Sequence, residues 1–329
     1  DDLLHQNARY TGPSTHILVE KNNKKYLWQP FSDQIESYKK EQNLYKNSLG
    51  NKIVFEEVNH SLGLTFLYGW QASSRYGFVK KTKLINHSEV KLKVKLIDGL
   101  KNILPAGLEL RTQQEMSNLA NAYKVSECNP DYNYALYYMN ALLMDKPDPG
   151  ESLFSNMVWS FSEEKFELSV NQKSINTFLN DQCFTSDLLI KGKEGSFLNY
   201  IEKSLDQDHE MCWYIVADVQ KSQSDIVGIV SDLKEHDTLK EKLEESILDN
   251  HYEFEKNIGM ADGFQCTNNN MNDLHHTANV TYNVLRGGIF SDNYDIQKTS
   301  FISFLKVRNK NVFETYKDDI FTLPDTFSI

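Results

Sequence analysis

Val90-Lys91-Leu92-Lys93-Val94-Lys95-Leu96 alternates apolar and basic residues without a break. A chain satisfies that period as a strand, because successive strand side chains point to opposite faces. One face is then buried and the other wet, as in an antiparallel sheet with one covered side. Outward from this segment, Gly63 to Trp70, Arg75 to Ile85, Met157 to Phe161, Lys165 to Val170 and Met211 to Ala217 read as further strands. The stretches Asn86-His87-Ser88, Asp98-Gly99 and Lys146-Pro147-Asp148-Pro149-Gly150 read as the turns between them. Many short strands in succession predict a large antiparallel β-sandwich over residues 1–220.

At Ser222 the period changes. Ile226, Val230 and Leu233, then Leu239, Leu243 and Ile247, recur at three- and four-residue spacing among Lys and Glu. That is the pattern of amphipathic helices, with Glu241, Lys242, Glu244 and Glu245 on the solvated side. Residues 221–258 are therefore expected to be a helical linker, and 259–329 a second, helical region. Within it Asp273 to Leu285 predicts a helix that Gly287 and Gly288 end. Thr299 to Arg308 predicts another, and Leu323-Pro324-Asp325 the opening of a third.

Composition narrows the function. With 40% hydrophobic and 25% charged residues, the 329-residue chain is globular. A formal net charge of -11 argues against nucleic acid and anionic membrane surfaces as partners, since both repel it. No apolar run approaches the ~18 residues that span a bilayer, and Asp1-Asp2-Leu3-Leu4-His5 lacks the basic and apolar regions of a signal peptide. The missing initiator Met and the stop at Ile329 are what a processed product or a piece of a longer protein would show. Cys128, Cys183, Cys212 and Cys266 have no metal-ligand spacing. They read as buried free thiols, which favours a reducing compartment such as the cytoplasm.

GxSxG, HExxH, P-loop and GxGxxG motifs are all missing. The densest polar and aromatic cluster runs from His275 to Asp295. On a helix His275, Asn279 and Asn283 share one face, which leads to Arg286. Donors and acceptors of this kind beside aromatic rings suit hydroxyl-rich ligands. The competing reading is structural: His275 and His276 cap the helix start, the two glycines close its end, and Arg286 pairs with Asp292 or Asp295. Adjacent histidines on a helix diverge by about a hundred degrees, so a metal shared by His275 and His276 is disfavoured. Trp28, Trp70, Trp159 and Trp213 are expected in the core rather than as sugar platforms. The pairs Glu56-Glu57 and Glu163-Glu164 face opposite ways if in strands, so neither pair flanks one glycosidic bond.

The segment His275-His276-Thr277-Ala278-Asn279-Val280-Thr281-Tyr282-Asn283-Val284-Leu285-Arg286-Gly287-Gly288-Ile289-Phe290-Ser291-Asp292-Asn293-Tyr294-Asp295-Ile296 resembles the first barrel helix and following turn of cellobiose phosphorylase-like proteins of glycoside hydrolase family 94. Leu64 to Ile97 is similar to that family's N-terminal β-sandwich, and Ser222 to Ile258 to its linker. The resemblance implies a β-sandwich, linker helices and the beginning of an (α/α)-barrel at 259–329. It implies an inverting enzyme acting on β-linked gluco-oligosaccharides, with inorganic phosphate as co-substrate and no other cofactor. Arg286 and Asp295 match positions that hold the donor sugar, with Asn293 a looser match, and the helix face of His275 and Asn279 that leads to Arg286 is read as part of the same sugar site. Such enzymes are often homodimers. Two departures stand out: Arg286 is followed by Gly287-Gly288 instead of the usual Asp-Gln, and the general acid is expected beyond Ile329. A β-glucan hydrolase of related fold and a non-catalytic carbohydrate-binding or scaffold protein are the alternatives.

Overall fold

The alternating segment is a strand, and a longer one than its alternation. In the computed structural model, which describes residues 10–32, 38–142, 150, 152–181, 183–288 and 295–328, it starts at Leu92 and runs to Ile103. Val90 lies before it, 43% exposed. Preceding it are β1 (Gly12–Lys21), β2 (Lys24–Trp28), β3 (Lys40–Lys46), β4 (Ile53–Asn59), β5 (Leu64–Ser73) and β6 (Gly77–Asn86), so it is β7. After it come the short helices α1 (Leu110–Glu115) and α2 (Ser117–Tyr123), then β8 (Lys124–Asn129), β9 (Tyr134–Met139), β10 (Ser155–Ser162) and β11 (Glu167–Ser169). Helix α3 (Lys173–Asp181), β12 (Leu189–Lys191), β13 (Gly195–Leu205) and β14 (Glu210–Lys221) complete the β-rich part. Helices α4 (Gln223–Lys234), α5 (His236–Met260) and α6 (Asn270–Gly287) follow. Last come β15 (Asp295–Gln297), α7 (Lys298–Arg308), α8 (Lys310–Thr315), α9 (Lys317–Thr322) and β16 (Thr326–Ser328).

Asp1–Lys46 with Asn51–Asn250 forms one compact unit, and Asn47–Gly50 with His251–Ile329 a second. In the first, β11-β13-β7-β1-β2 make a five-stranded antiparallel sheet and β12-β8-β9-β10-β14-β6-β5-β4-β3 a nine-stranded one. Ile17, Val19, Val94 and Leu96 from the smaller sheet and Leu64, Phe66, Val158 and Ile215 from the larger share one core, so the sheets stack as a sandwich. Helices cover both outer faces. Ile229 and Leu233 of α4 and Leu239 and Leu243 of α5 pack on Val79, Trp159, Phe161 and Val216 of the larger sheet. Ile175 and Phe178 of α3 pack on Leu18, Ile97 and Leu198 of the smaller. The change of period at Ser222 is a capping box: its hydroxyl accepts from the Asp225 amide, and the Asp225 carboxylate accepts from the Ser222 amide.

The turn expected at Asp98-Gly99 does not exist, because both residues lie inside β7. A β-carbon at Gly99 would sit 1.9 Å from the Phe197 carbonyl oxygen of β13, so glycine is required by close backbone approach, beside an irregularity between Gly195 and Phe197. From Leu96 to Leu100 both faces of β7 are buried, since α3 covers the face that alternation alone marks as wet. Asp98 points into the sandwich, fully buried. Its carboxylate accepts from Lys80 Nζ at 2.6 Å, the Trp213 indole at 2.7 Å and the Thr15 hydroxyl at 2.7 Å. A second buried carboxylate, Glu57, accepts from the Trp28 indole at 2.7 Å, the Phe31 amide at 2.9 Å and Gln42 at 2.6 Å. Trp28, Trp159 and Trp213 are buried and Trp70 packs partly buried against the core. Glu56 faces the other way from Glu57, bonded to Asn43 and Tyr45.

Two further expectations are corrected. The helix predicted to open at Leu323-Pro324-Asp325 is a strand instead, since Thr326–Ser328 pairs antiparallel with Asp295–Gln297. The four cysteines are free, but Cys183 and Cys266 are exposed and Cys128 and Cys212 only half-buried. The Pro-rich stretch at 146–149 lies outside the described residues.

Two outcomes are expected. Asp98→Ala leaves the Lys80 ammonium buried without its partner and should lower the unfolding free energy by about 3–5 kcal/mol. The pair Lys80→Met with Asp98→Leu should cost less than Asp98→Leu alone; urea unfolding at unchanged m-value checks both. His16 is buried, its Nε2 3.0 Å from the Ser14 hydroxyl, and burial together with Lys101 lowers its pKa from 6.5 to about 4, against the opposing charge of Asp98. Between those values the unfolded chain binds a proton that the folded one refuses. Stability contributed by neutral His16 is therefore complete above pH 6.5 and lost as pH falls toward 4. The loss amounts to about 3 kcal/mol, and His16→Gln should flatten that part of the stability profile.

Candidate functional site

Helix α6 carries the polar cluster, and local chemistry fixes where it starts. Asn269 is the N-cap, its side chain accepting from the Met271 amide at 3.0 Å. The Asp273 carboxylate accepts from the Thr267 amide at 3.1 Å and hydroxyl at 2.7 Å. His275 and His276 therefore lie inside the helix, and the reading that they cap it is corrected. Gly288, at φ +76°, ends it by donating from its amide to the Val284 carbonyl at 2.7 Å.

Three sides of α6 have different surroundings. Asp273, His276, Thr277, Val280, Thr281 and Val284 are buried or half-buried. The Thr277 hydroxyl lies 2.9 Å from the Gly263 carbonyl and 3.0 Å from that of Asp273, and His276 Nε2 donates to the Asp262 carbonyl at 2.7 Å. A β-carbon at Gly263 would come within 2.3 Å of Ile258 and 3.2 Å of Val280, so the segment after α5 lies this close to the middle of α6 because this residue is glycine. A second side holds His275, Asn279, Asn283 and Arg286, all exposed. A third holds Met271, Leu274, Ala278, Tyr282 and Leu285, also exposed, at steps of three and four residues.

The structure thus places His275, Asn279, Asn283 and Arg286 along one solvent-facing side. Asn293, and Asp292 as a partner for Arg286, lie outside the described residues. Asp295 opens β15, and its carboxylate accepts from the Ser328 hydroxyl of β16. No ion pair joins Asp295 to Arg286 among the described residues. The ribbon β15–β16 closes a small module over α7 to α9. Lys298 donates to the Leu323 carbonyl at 2.7 Å, its amide donates to the Asp325 carbonyl at 2.9 Å, and Phe301 meets Phe327 edge-on with centroids 5.5 Å apart. Among the described residues no group of three or more His, Cys, Asp and Glu side chains is placed to hold a metal ion. Burial pushes the Cys128 thiol up to about 12 and raises Cys212, so neither is a nucleophile near neutral pH.

Residues 290–329, which contain this module, match the model of glycoside hydrolase family 149 insertion domain 1. The match names family 149, not family 94. No curated protein matches the chain. Among solved structures, a bacterial glucoamylase complexed with acarbose is similar at a TM-score of 0.42 and 12% identity, over 75% of this chain and 32% of that one. A polysaccharide lyase is similar at 0.40 and 9%, over 68% and 28%. A family 92 α-mannosidase from Bacteroides thetaiotaomicron is similar at 0.34 and 11%, over 70% and 26%. The chain spans about a third or less of the length of these structures.

If Thr277 anchors α6, Thr277→Val leaves the Gly263 carbonyl without its donor. Amide hydrogen exchange in α6 should then speed up about fivefold, for a loss of about 1 kcal/mol. His275→Ala and Asn279→Ala, on the exposed side, should leave stability within about 0.5 kcal/mol.

Proposed function

We propose that this chain is the N-terminal part of a carbohydrate-active enzyme, an inverting glycoside phosphorylase acting on β-linked gluco-oligosaccharides. The observation that carries the reading is the solvent-facing row His275, Asn279, Asn283 and Arg286, directly followed by a segment matching a glycoside hydrolase insertion domain. The resemblance of the α6 segment to family 94 supplies the reaction class. On this reading α6 opens an (α/α)-barrel, and Met271, Leu274 and Leu285 of its exposed apolar row pack on neighbouring helices, with Tyr282 left at the edge beside the polar row. Arg286 donates to donor-sugar hydroxyls. Asn279 and Asn283 offer both donors and acceptors to the same ring, and Asp295, with Asn293, accepts from it. Inorganic phosphate attacks the anomeric carbon, and a carboxylic acid protonates the departing oxygen. In a related hydrolase a carboxylate-activated water takes the place of phosphate.

The test is oligosaccharide turnover by the whole protein, with and without inorganic phosphate, in wild type and Arg286→Ala. Removing charge-assisted bonds of about 1.5–3 kcal/mol should lower kcat/KM by roughly one to two decades at unchanged melting temperature. Turnover that needs phosphate supports the phosphorylase, turnover without it the hydrolase, and binding without turnover the carbohydrate-binding or scaffold protein. Unchanged turnover in folded Arg286→Ala removes the sugar-binding role of Arg286.

A further inference from the structure

Tyr282 stands at the seam between the two exposed sides of α6. It is the member of the apolar row nearest the polar one, and its side chain is 68% exposed. Asn279 precedes it by three residues and Arg286 follows it by four, so both are its surface neighbours on the helix. Among the described residues no ring stacks on Tyr282 and no cation sits over it, whereas Lys81, Lys234 and Lys306 each sit over another ring. A broad aromatic face is therefore open to a ligand, with amide groups and a guanidinium at its rim.

We propose that Tyr282 is a stacking platform for a β-linked glucose unit, a role that rests on the sugar-binding reading of the Arg286 row. A glucopyranose with equatorial substituents has two flat C–H faces and a rim of hydroxyls. The face is apolar and fits an aromatic ring. The rim hydroxyls both donate and accept, which matches the mixed donors and acceptors of Asn279 and Asn283 and the pure donors of Arg286. Met271 and Leu285, 62% and 74% exposed in the same row, offer apolar contact but no planar face and no polar rim. Tyr282 adds selectivity for flat sugars over ligands that carry only hydroxyls.

The experiment measures binding of a β-1,4-linked glucose tetramer to the whole protein by titration calorimetry, with saturation-transfer NMR on the wild type. Tyr282→Ala should weaken binding by about three- to tenfold. Tyr282→Phe should keep it within about twofold, and saturation of the aromatic protons should reach the ring C–H protons of the sugar. Weakened binding in Arg286→Ala with wild-type binding in Tyr282→Ala overturns the platform and leaves the sugar site standing. Wild-type binding in both variants overturns both. Equal loss in Tyr282→Ala and Tyr282→Phe assigns the effect to the hydroxyl and overturns stacking. A lowered melting temperature in Tyr282→Ala with unchanged affinity makes the ring a packing residue, and absence of saturation transfer in the wild type decides against the platform without any substitution.

Discussion

The carboxylate of Asp98 ties the two sheets of the sandwich together. It belongs to the five-stranded sheet, and two of its partners, Lys80 and Trp213, belong to the nine-stranded one. A charge so far from water is tolerable only when paired and fully hydrogen-bonded, which Lys80, Trp213 and Thr15 together achieve. Hydrophobic contacts between sheets tolerate sliding; a carboxylate that must meet an ammonium and an indole N–H does not. Glu57 repeats the arrangement in the opposite sense, with the carboxylate on the larger sheet and the indole of Trp28 on the smaller. Both tryptophans thus fill volume and satisfy a buried acceptor. The two links register the sheets along directions that apolar packing leaves free.

That registration determines how the outer layers are built. With the inner faces fixed, the outer face of the larger sheet presents Val79, Trp159, Phe161 and Val216, which α4 and α5 cover. A polar clasp holds these helices at the rim of their apolar contact. Asp232 of α4 receives Arg75 at 2.6 Å, Tyr76 at 3.1 Å and Lys242 of α5 at 3.3 Å. The Ser246 hydroxyl of α5 lies 2.6 Å from that of Ser73 at the end of β5.

In the second unit the constraint is of another kind. Gly263 lets the chain after α5 come close enough for Thr277 and His276 to bond its carbonyls, and this selects which side of α6 is turned inward. Once that side is chosen, 3.6 residues per turn place the polar row and the apolar row on the two remaining sides. A single glycine contact therefore decides which residues of the cluster face solvent.

Where a segment's surroundings are simple, its sequence was enough. The alternation of Leu92 to Leu96, the change of period at Ser222 and the helical spacing of α4 and α5 are local patterns, and each appears as the element it implies. The row His275, Asn279, Asn283 and Arg286 was legible for the same reason, since one helix puts all four on one side. Tertiary structure decided the rest. Asp98-Gly99 has the composition of a turn; only a neighbouring strand that needs a missing β-carbon, and a lysine from the opposite sheet, make it the middle of a strand. Strand β13, Gly195–Leu205, is buried along most of both faces and so lacks the alternation that would announce it. Thr326–Ser328 became a strand because Asp295–Gln297, some thirty residues earlier in the chain, offers it an edge. Local periodicity records what a segment's own faces require, while long-range pairing and buried charge depend on partners that no window of sequence contains.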